Sequence, residues 1–154
     1  MEYSLNGQTM NTCMIGTWAW GTGISGSKTV FGKSYDRTQL AETFRNAYDK
    51  GFTFWDTAEV YGQGTSESLL GELIKDKAVT ISTKHFPYKK YKSGENRTAL
   101  KGSLKRLGVE CVDLYWLHSP KNIEQNMAEL AECQKEGLIT INEHKRGTFV
   151  KMHK

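Results

Sequence analysis

The chain has 154 residues, enough for one domain with its own core. Its 38% apolar and 25% charged residues suit a globular protein, and no apolar run is long enough to span a bilayer. The formal net charge of +4 is gathered at one end, where residues 143–154 carry +3 of it, which weakens the case for an acidic partner such as nucleic acid.

The N-terminus lacks a basic region followed by an apolar stretch, which predicts a cytoplasmic protein. Cys13, Cys111 and Cys133 are odd in number and widely spaced, which fits neither a disulfide framework nor a zinc site. They read as reduced, mostly buried thiols.

Taken in chain order, residues 13–18 read as a strand. Asp36 offers an N-cap to a helix whose stripe is Leu40, Phe44, Ala47 and Tyr48, and Gly51 stops that helix. Thr53-Phe54-Trp55 is a short strand ending at Asp56. A glycine-rich stretch at residues 62–64 leads into a helix over 66–75, with Leu69, Leu70, Leu73 and Ile74 on its apolar side. Residues 79–83 are β-branched and strand-like. The cluster Tyr88-Lys89-Lys90-Tyr91-Lys92 mixes aromatics with lysines as single-strand binders do, but so short a run reads as a solvated loop. A third helix covers 96–107 and ends at Gly108. A strand over 112–117 is closed by His118 and Pro120, a fourth helix covers 122–136, and residues 138–141 begin a possible fifth strand. Strands alternating with helices at this spacing predict an α/β fold with a parallel sheet, either doubly wound or part of a (β/α)8 barrel.

Three ionisable residues hold equivalent places. Asp56, Lys84 and His118 each end a strand, and Tyr61 lies in the loop that follows Asp56. In parallel α/β folds the C-terminal strand ends face one side, where active sites lie. Singly, each residue has an ordinary reading: a turn cap, a solvated lysine, a structural histidine, a loop tyrosine. Together they suit carbonyl reduction. Tyr61 would protonate the developing alkoxide, helped by a hydrogen bond to Lys84 or His118, with Lys84 pulling its pKa below the usual value of about 10. Asp56 would keep Lys84 charged, and His118 would orient the carbonyl oxygen. A purely structural Asp56–Lys84 ion pair would look the same in sequence.

These residues sit in motifs. The stretch from Gly51 to Gly62, followed by Ser66-Glu67-Ser68-Leu69-Leu70-Gly71, resembles the first signature of the aldo-keto reductases. Thr83-Lys84 resembles that family's strand-three lysine, and the blocks 104–108 and 112–120 resemble its strand-four region. Gly16-Thr17-Trp18 is similar to the segment near the nicotinamide. The likeness runs from about Tyr3 to Gly137. It implies a (β/α)8 barrel that reduces aldehydes or ketones with NADPH and has no Rossmann fold. It also implies a tetrad of Asp56, Tyr61, Lys84 and His118, with Tyr61 the proton donor. Cofactor contacts would come from Gly16, Thr17, Trp18 and Asp56, and the partner would be a small carbonyl compound.

After residue 142 the family pattern is lost. The expected organisation is therefore a partial barrel of strands one to four over 1–142, with the possible start of strand five, and a divergent basic tail over 143–154. The tail reads as the product of a frameshift or premature stop, or as a deliberate short form. Half a barrel leaves open sheet edges, so self-association is expected, with apolar residues such as Ile15, Phe54 and Leu114 more exposed than in a closed barrel. A catalytically silent fragment and a non-enzymatic interaction subunit of the same fold stand as alternatives to a working reductase.

Overall fold

A computed structural model describes residues 3–5, 8–10, 13–87, 90–119 and 122–140. The basic tail, Ile141, Pro120 and the Tyr88-Lys89 part of the basic cluster lie outside the described residues.

The chain opens with an antiparallel hairpin, β1 (Tyr3–Leu5) and β2 (Gln8–Met10). It precedes the first strand expected from sequence and has no counterpart there. Then come β3 (Met14–Gly16), a 3-10 turn over Trp18–Trp20, α1 (Ser27–Phe31), α2 (Arg37–Asp49) and β4 (Phe54–Asp56). After these follow α3 (Thr65–Leu73), β5 (Thr80–His85), α4 (Glu95–Leu107), β6 (Leu114–Leu117) and α5 (Ile123–Lys135). Strands β3 to β6 form one parallel sheet in sequence order, as the alternation of elements predicts.

Local chemistry sets the helix ends. Asp36 accepts from the Gln39 backbone and the Gln39 side chain accepts from the Asp36 N–H, a reciprocal capping box at the start of α2. Gly108 ends α4 in the left-handed region, with its N–H on the Leu104 carbonyl.

Strand alternation gives the sheet two different faces. Ile15, Trp55 and Ile81 align across the register on one face, which Tyr115, paired with Thr83, shares; they pack with Leu40 and Phe44 of α2, Leu70 of α3, Leu100 and Leu107 of α4, and Leu130 of α5. Fully buried leucines such as Leu70 and Leu100 each contribute about 2–3 kcal/mol. The opposite face carries Met14 and Gly16, then Phe54 and Asp56, then Ser82 and Lys84, then Leu114 and Trp116. Here Phe54 and Leu114 are half-buried and Met14 is 45% exposed. Ile15, expected on this face, points instead into the helix-covered core.

Two boundaries differ from the sequence reading for physical reasons. The last strand starts at Leu114, not Val112, because the Asp113 carboxylate takes the Ile81 N–H at 2.9 Å in place of a backbone acceptor. The fifth strand is present as one parallel bridge, Val112 to Ile139, backed by the Thr140 N–H on the Val112 carbonyl at 2.8 Å. Among the described residues no helix is long and apolar enough to cross a membrane.

Candidate active site

The parallel register brings Asp56, Ser82 and Lys84 to the same end and face of the sheet. Tyr61 follows β4 in a loop stitched to β5: the Thr57 N–H donates to the Ser82 carbonyl at 2.9 Å and the Glu59 N–H to the Lys84 carbonyl at 3.3 Å. The Tyr61 N–H then closes a turn onto Ala58. His118 follows β6, its N–H on the His85 carbonyl at 2.8 Å.

At the centre lies a buried ion pair. Lys84 Nζ donates to Asp56 Oδ2 at 2.6 Å and to the Thr57 carbonyl at 2.8 Å. The Lys84 side chain is 7% exposed and that of Asp56 15%. The same ammonium stands over the Tyr61 ring, 5.0 Å from its centroid. His118 meets that ring edge-on at 6.1 Å, and Trp18 stacks on it at 5.3 Å with planes 12° apart. Lys84, His118 and Trp18 are thus gathered around one tyrosine, with Asp56 bonded to Lys84. The contacts made by Lys84 and His118 are to the ring, in place of the hydroxyl hydrogen bond the sequence suggests.

The sequence reading missed two neighbours. Ser82 donates to Asp56 Oδ1 at 2.7 Å and accepts from Trp116 Nε1–H at 2.8 Å, so both carboxylate oxygens of Asp56 are held. The signal was present: Ser82 stands two residues before Lys84 and pairs with Asp56 in register, hence on the same face.

Thr17 is fully buried. Its hydroxyl donates to the Asp56 carbonyl at 3.0 Å and meets Ser66 Oγ at 2.8 Å, while Ser66 Oγ also reaches the Thr17 carbonyl. Its side chain therefore ties β3, β4 and α3 together from behind the site. Gly16 differs: a Cβ added there would meet nothing within 4 Å. Trp18 is 42% exposed. Gly21 and Gly62 let two backbones touch beside Tyr61, since a Cβ on Gly21 would lie 2.7 Å from the Gly62 nitrogen. Gly62 also needs its positive φ of 58°.

Burial, and then the negative charge of Asp56, push the Tyr61 hydroxyl well above the ordinary tyrosine value. This reverses the expectation that Lys84 lowers it. The lysine charge is already matched by Asp56, and desolvation of the phenolate dominates. Lys84 itself is pushed below its ordinary value by burial, against the opposing pull of Asp56. On the helix face, burial also raises Tyr115. Both tyrosines keep their proton in the folded chain at pH values where the unfolded chain has lost it. Their stabilising contribution is complete below the ordinary value of 10.0 and is lost as pH rises through the raised folded values. Lys84 acts oppositely, adding stability with pH in the window just below 10.5. Thermal midpoints taken from about pH 8 to about pH 12 are expected to fall on the alkaline side, less steeply in Tyr61→Phe and Tyr115→Phe. An unchanged decline in both variants would contradict this.

Comparison with known proteins gives a consistent picture. The model of the Aldo/keto reductase family matches residues 13–141. The aldo-keto reductase yakc [NADP(+)] of Schizosaccharomyces pombe is 34% identical over 137 residues, covering 79% of this chain and 40% of the relative. A thermostable aldo-keto reductase, Tm1743, solved with the inhibitor epalrestat, superposes with a TM-score of 0.76 at 31% identity, covering 92% of this chain and 52% of the other. An aldo-keto reductase of Klebsiella pneumoniae solved with NADPH gives a TM-score of 0.71 at 25% identity, covering 85% and 44%. The chain therefore spans about half the length of these relatives, and its four parallel strands with their helices correspond to about half of their barrel.

Proposed function

The chain belongs to the aldo/keto reductase family, and on that footing we propose that its site serves NADPH-dependent reduction of aldehydes or ketones to alcohols, with Tyr61 as proton donor. The observation that carries the reading is the gathering of Lys84, His118 and Trp18 around the Tyr61 ring, with Lys84 paired to Asp56 at 2.6 Å. The proposal includes a cytoplasmic setting.

The residues present suit the nicotinamide end of the cofactor. Gly16 leaves open space at the end of β3, Trp18 offers an exposed ring, and the Asp56 carboxylate can accept a further hydroxyl on its remaining lone pairs. Thr17 holds Asp56 from behind. When bound, NADPH supplies a hydride to the carbonyl carbon. Tyr61, kept protonated by its burial, gives its proton to the carbonyl oxygen as negative charge develops there. Lys84, fixed by Asp56 and Thr57, holds the Tyr61 ring in place from one face. His118 sits at the ring edge, where it can steer the carbonyl oxygen.

The phosphates of the cofactor are another matter. Lys84 is matched by Asp56, so its charge is not free for them. We expect the 154-residue chain alone to bind NADPH weakly or not at all, to self-associate through the edges of its sheet at β3 and β6, and to show little reductase activity. Quenching of Trp fluorescence by NADPH, beside light scattering on a sizing column, tests this. Tight saturable binding by a monomer would contradict it. One observation favours a second reading, a chain that keeps the site without turnover: Lys84 and His118 meet Tyr61 at its ring. Aldehyde-dependent NADPH consumption by the chain joined to the C-terminal half of a relative separates the two.

A further inference from the structure

Between Asp56 and Tyr61 lies Glu59, to which the proposed mechanism gives no part. Its carboxylate turns to the end of β5, where Oε1 accepts from the His85 ring at Nδ1 and from the Phe86 N–H at 3.0 Å. A carboxylate only accepts, so this contact requires the proton on Nδ1. His85 is 5% exposed, and its other nitrogen, Nε2, lies 3.8 Å from the Glu95 carboxylate at the start of α4.

The partners of Glu59 lead to three site residues. Its own N–H is on the carbonyl of Lys84. The His85 carbonyl holds the His118 N–H, and the Phe86 ring packs edge-on against the His118 ring at 5.7 Å. Tyr61 stands two residues further along the same loop, its N–H bonded to Ala58. One carboxylate therefore joins the loop of Tyr61, the strand of Lys84 and the support of His118.

We propose that Glu59 is a positioning residue which, clamped by His85 and Phe86, sets the placement of Tyr61 relative to Lys84 and His118. The inference rests on the reductase reading for the roles of those three residues. Its test uses neither NADPH nor turnover, so its failure and the failure of that reading are separately visible.

The reporter is Trp18, whose indole stacks on Tyr61 and is 42% exposed, while Trp20 and Trp55 are buried. Acrylamide quenching of the full chain, with the Trp18→Phe protein subtracted, isolates its signal. Glu59→Ala frees the loop and is expected to raise the Trp18 quenching constant about twofold, the step from a stacked to a fully exposed indole, with Trp20 and Trp55 unchanged. Glu59→Gln keeps the acceptor oxygen and should restore the original value. The His85 pair decides the matter even where Glu59→Ala fails to fold. His85→Asn places its amide nitrogen near the position of Nδ1 and should keep the low value. His85→Gln places it near Nε2, loses the Glu59 contact, and should show the raised one. Equal Trp18 quenching in His85→Asn and His85→Gln, or in Glu59→Ala and the unaltered chain, would overturn the proposal.

Discussion

Replacement of Tyr61 by Phe is expected to slow carbonyl reduction by about a hundredfold to about ten-thousandfold, or about 3 to about 5 kcal/mol in the barrier. The measurement belongs in a polypeptide that completes the barrel, such as this chain joined to the C-terminal half of a relative. Phe preserves the ring that Trp18 stacks on and that Lys84 overlies, so packing is retained. What is removed is the hydroxyl proposed to protonate the alkoxide. The loss should therefore fall on kcat, with substrate binding little changed. A decrease of less than about tenfold would take the donor role away from Tyr61.

The second large effect is on stability. Glu67 of α3 is completely buried on the helix side of the sheet. It accepts from Thr83 Oγ1 at 2.6 Å and from Arg106 Nε at 2.6 Å, joining α3, β5 and α4 one residue from Lys84. Helices α3 and α4 approach closely because Gly71 has no side chain; a Cβ there would lie 2.6 Å from the Arg106 and Leu107 carbonyl oxygens. Removing only the cation, as in Arg106→Met, leaves a carboxylate in the core with a single hydroxyl partner. The expected cost is about 3–5 kcal/mol, a large share of the roughly 5–15 kcal/mol that holds a domain together. Removing both charges, as in Glu67→Met with Arg106→Met, should recover much of the loss, because two apolar side chains carry no desolvation penalty. Denaturant midpoints across the four proteins of this cycle measure the coupling. A double variant as unstable as Arg106→Met alone would contradict it.

Much of this architecture can be read from sequence where local chemistry decides it. Asp36 and Gln39 announce the start of α2, Gly51 and Gly108 mark helix ends, and alternating strands and helices give the parallel order. The candidate site is legible for a geometric reason: Asp56, Lys84 and His118 stand at or just past the ends of consecutive parallel strands, which the fold brings to one side.

What escapes the sequence reading depends on tertiary neighbours. The helix α1 is five residues long and has no apolar period. The protonation of Tyr61 is governed by burial, which Lys84 does not offset because its charge is spent on Asp56. Ser82 and Trp116 join the site through their place in the sheet register, and Thr17 is drawn away from the mouth by Ser66 of α3, 49 residues distant in the chain. The clamp of Glu59 and His85 appears only once the loop is laid across β5.

The proposal that these residues form a carbonyl-reducing site is tested by NADPH oxidation in the presence of a simple aldehyde. The protein to use is this chain joined after Thr140 to the C-terminal half of a family relative, beside the same fusion carrying Tyr61→Phe. Aldehyde-dependent turnover is expected in the first and its near loss in the second. A fusion that folds cooperatively and binds NADPH, yet reduces no aldehyde or ketone, would contradict the proposal.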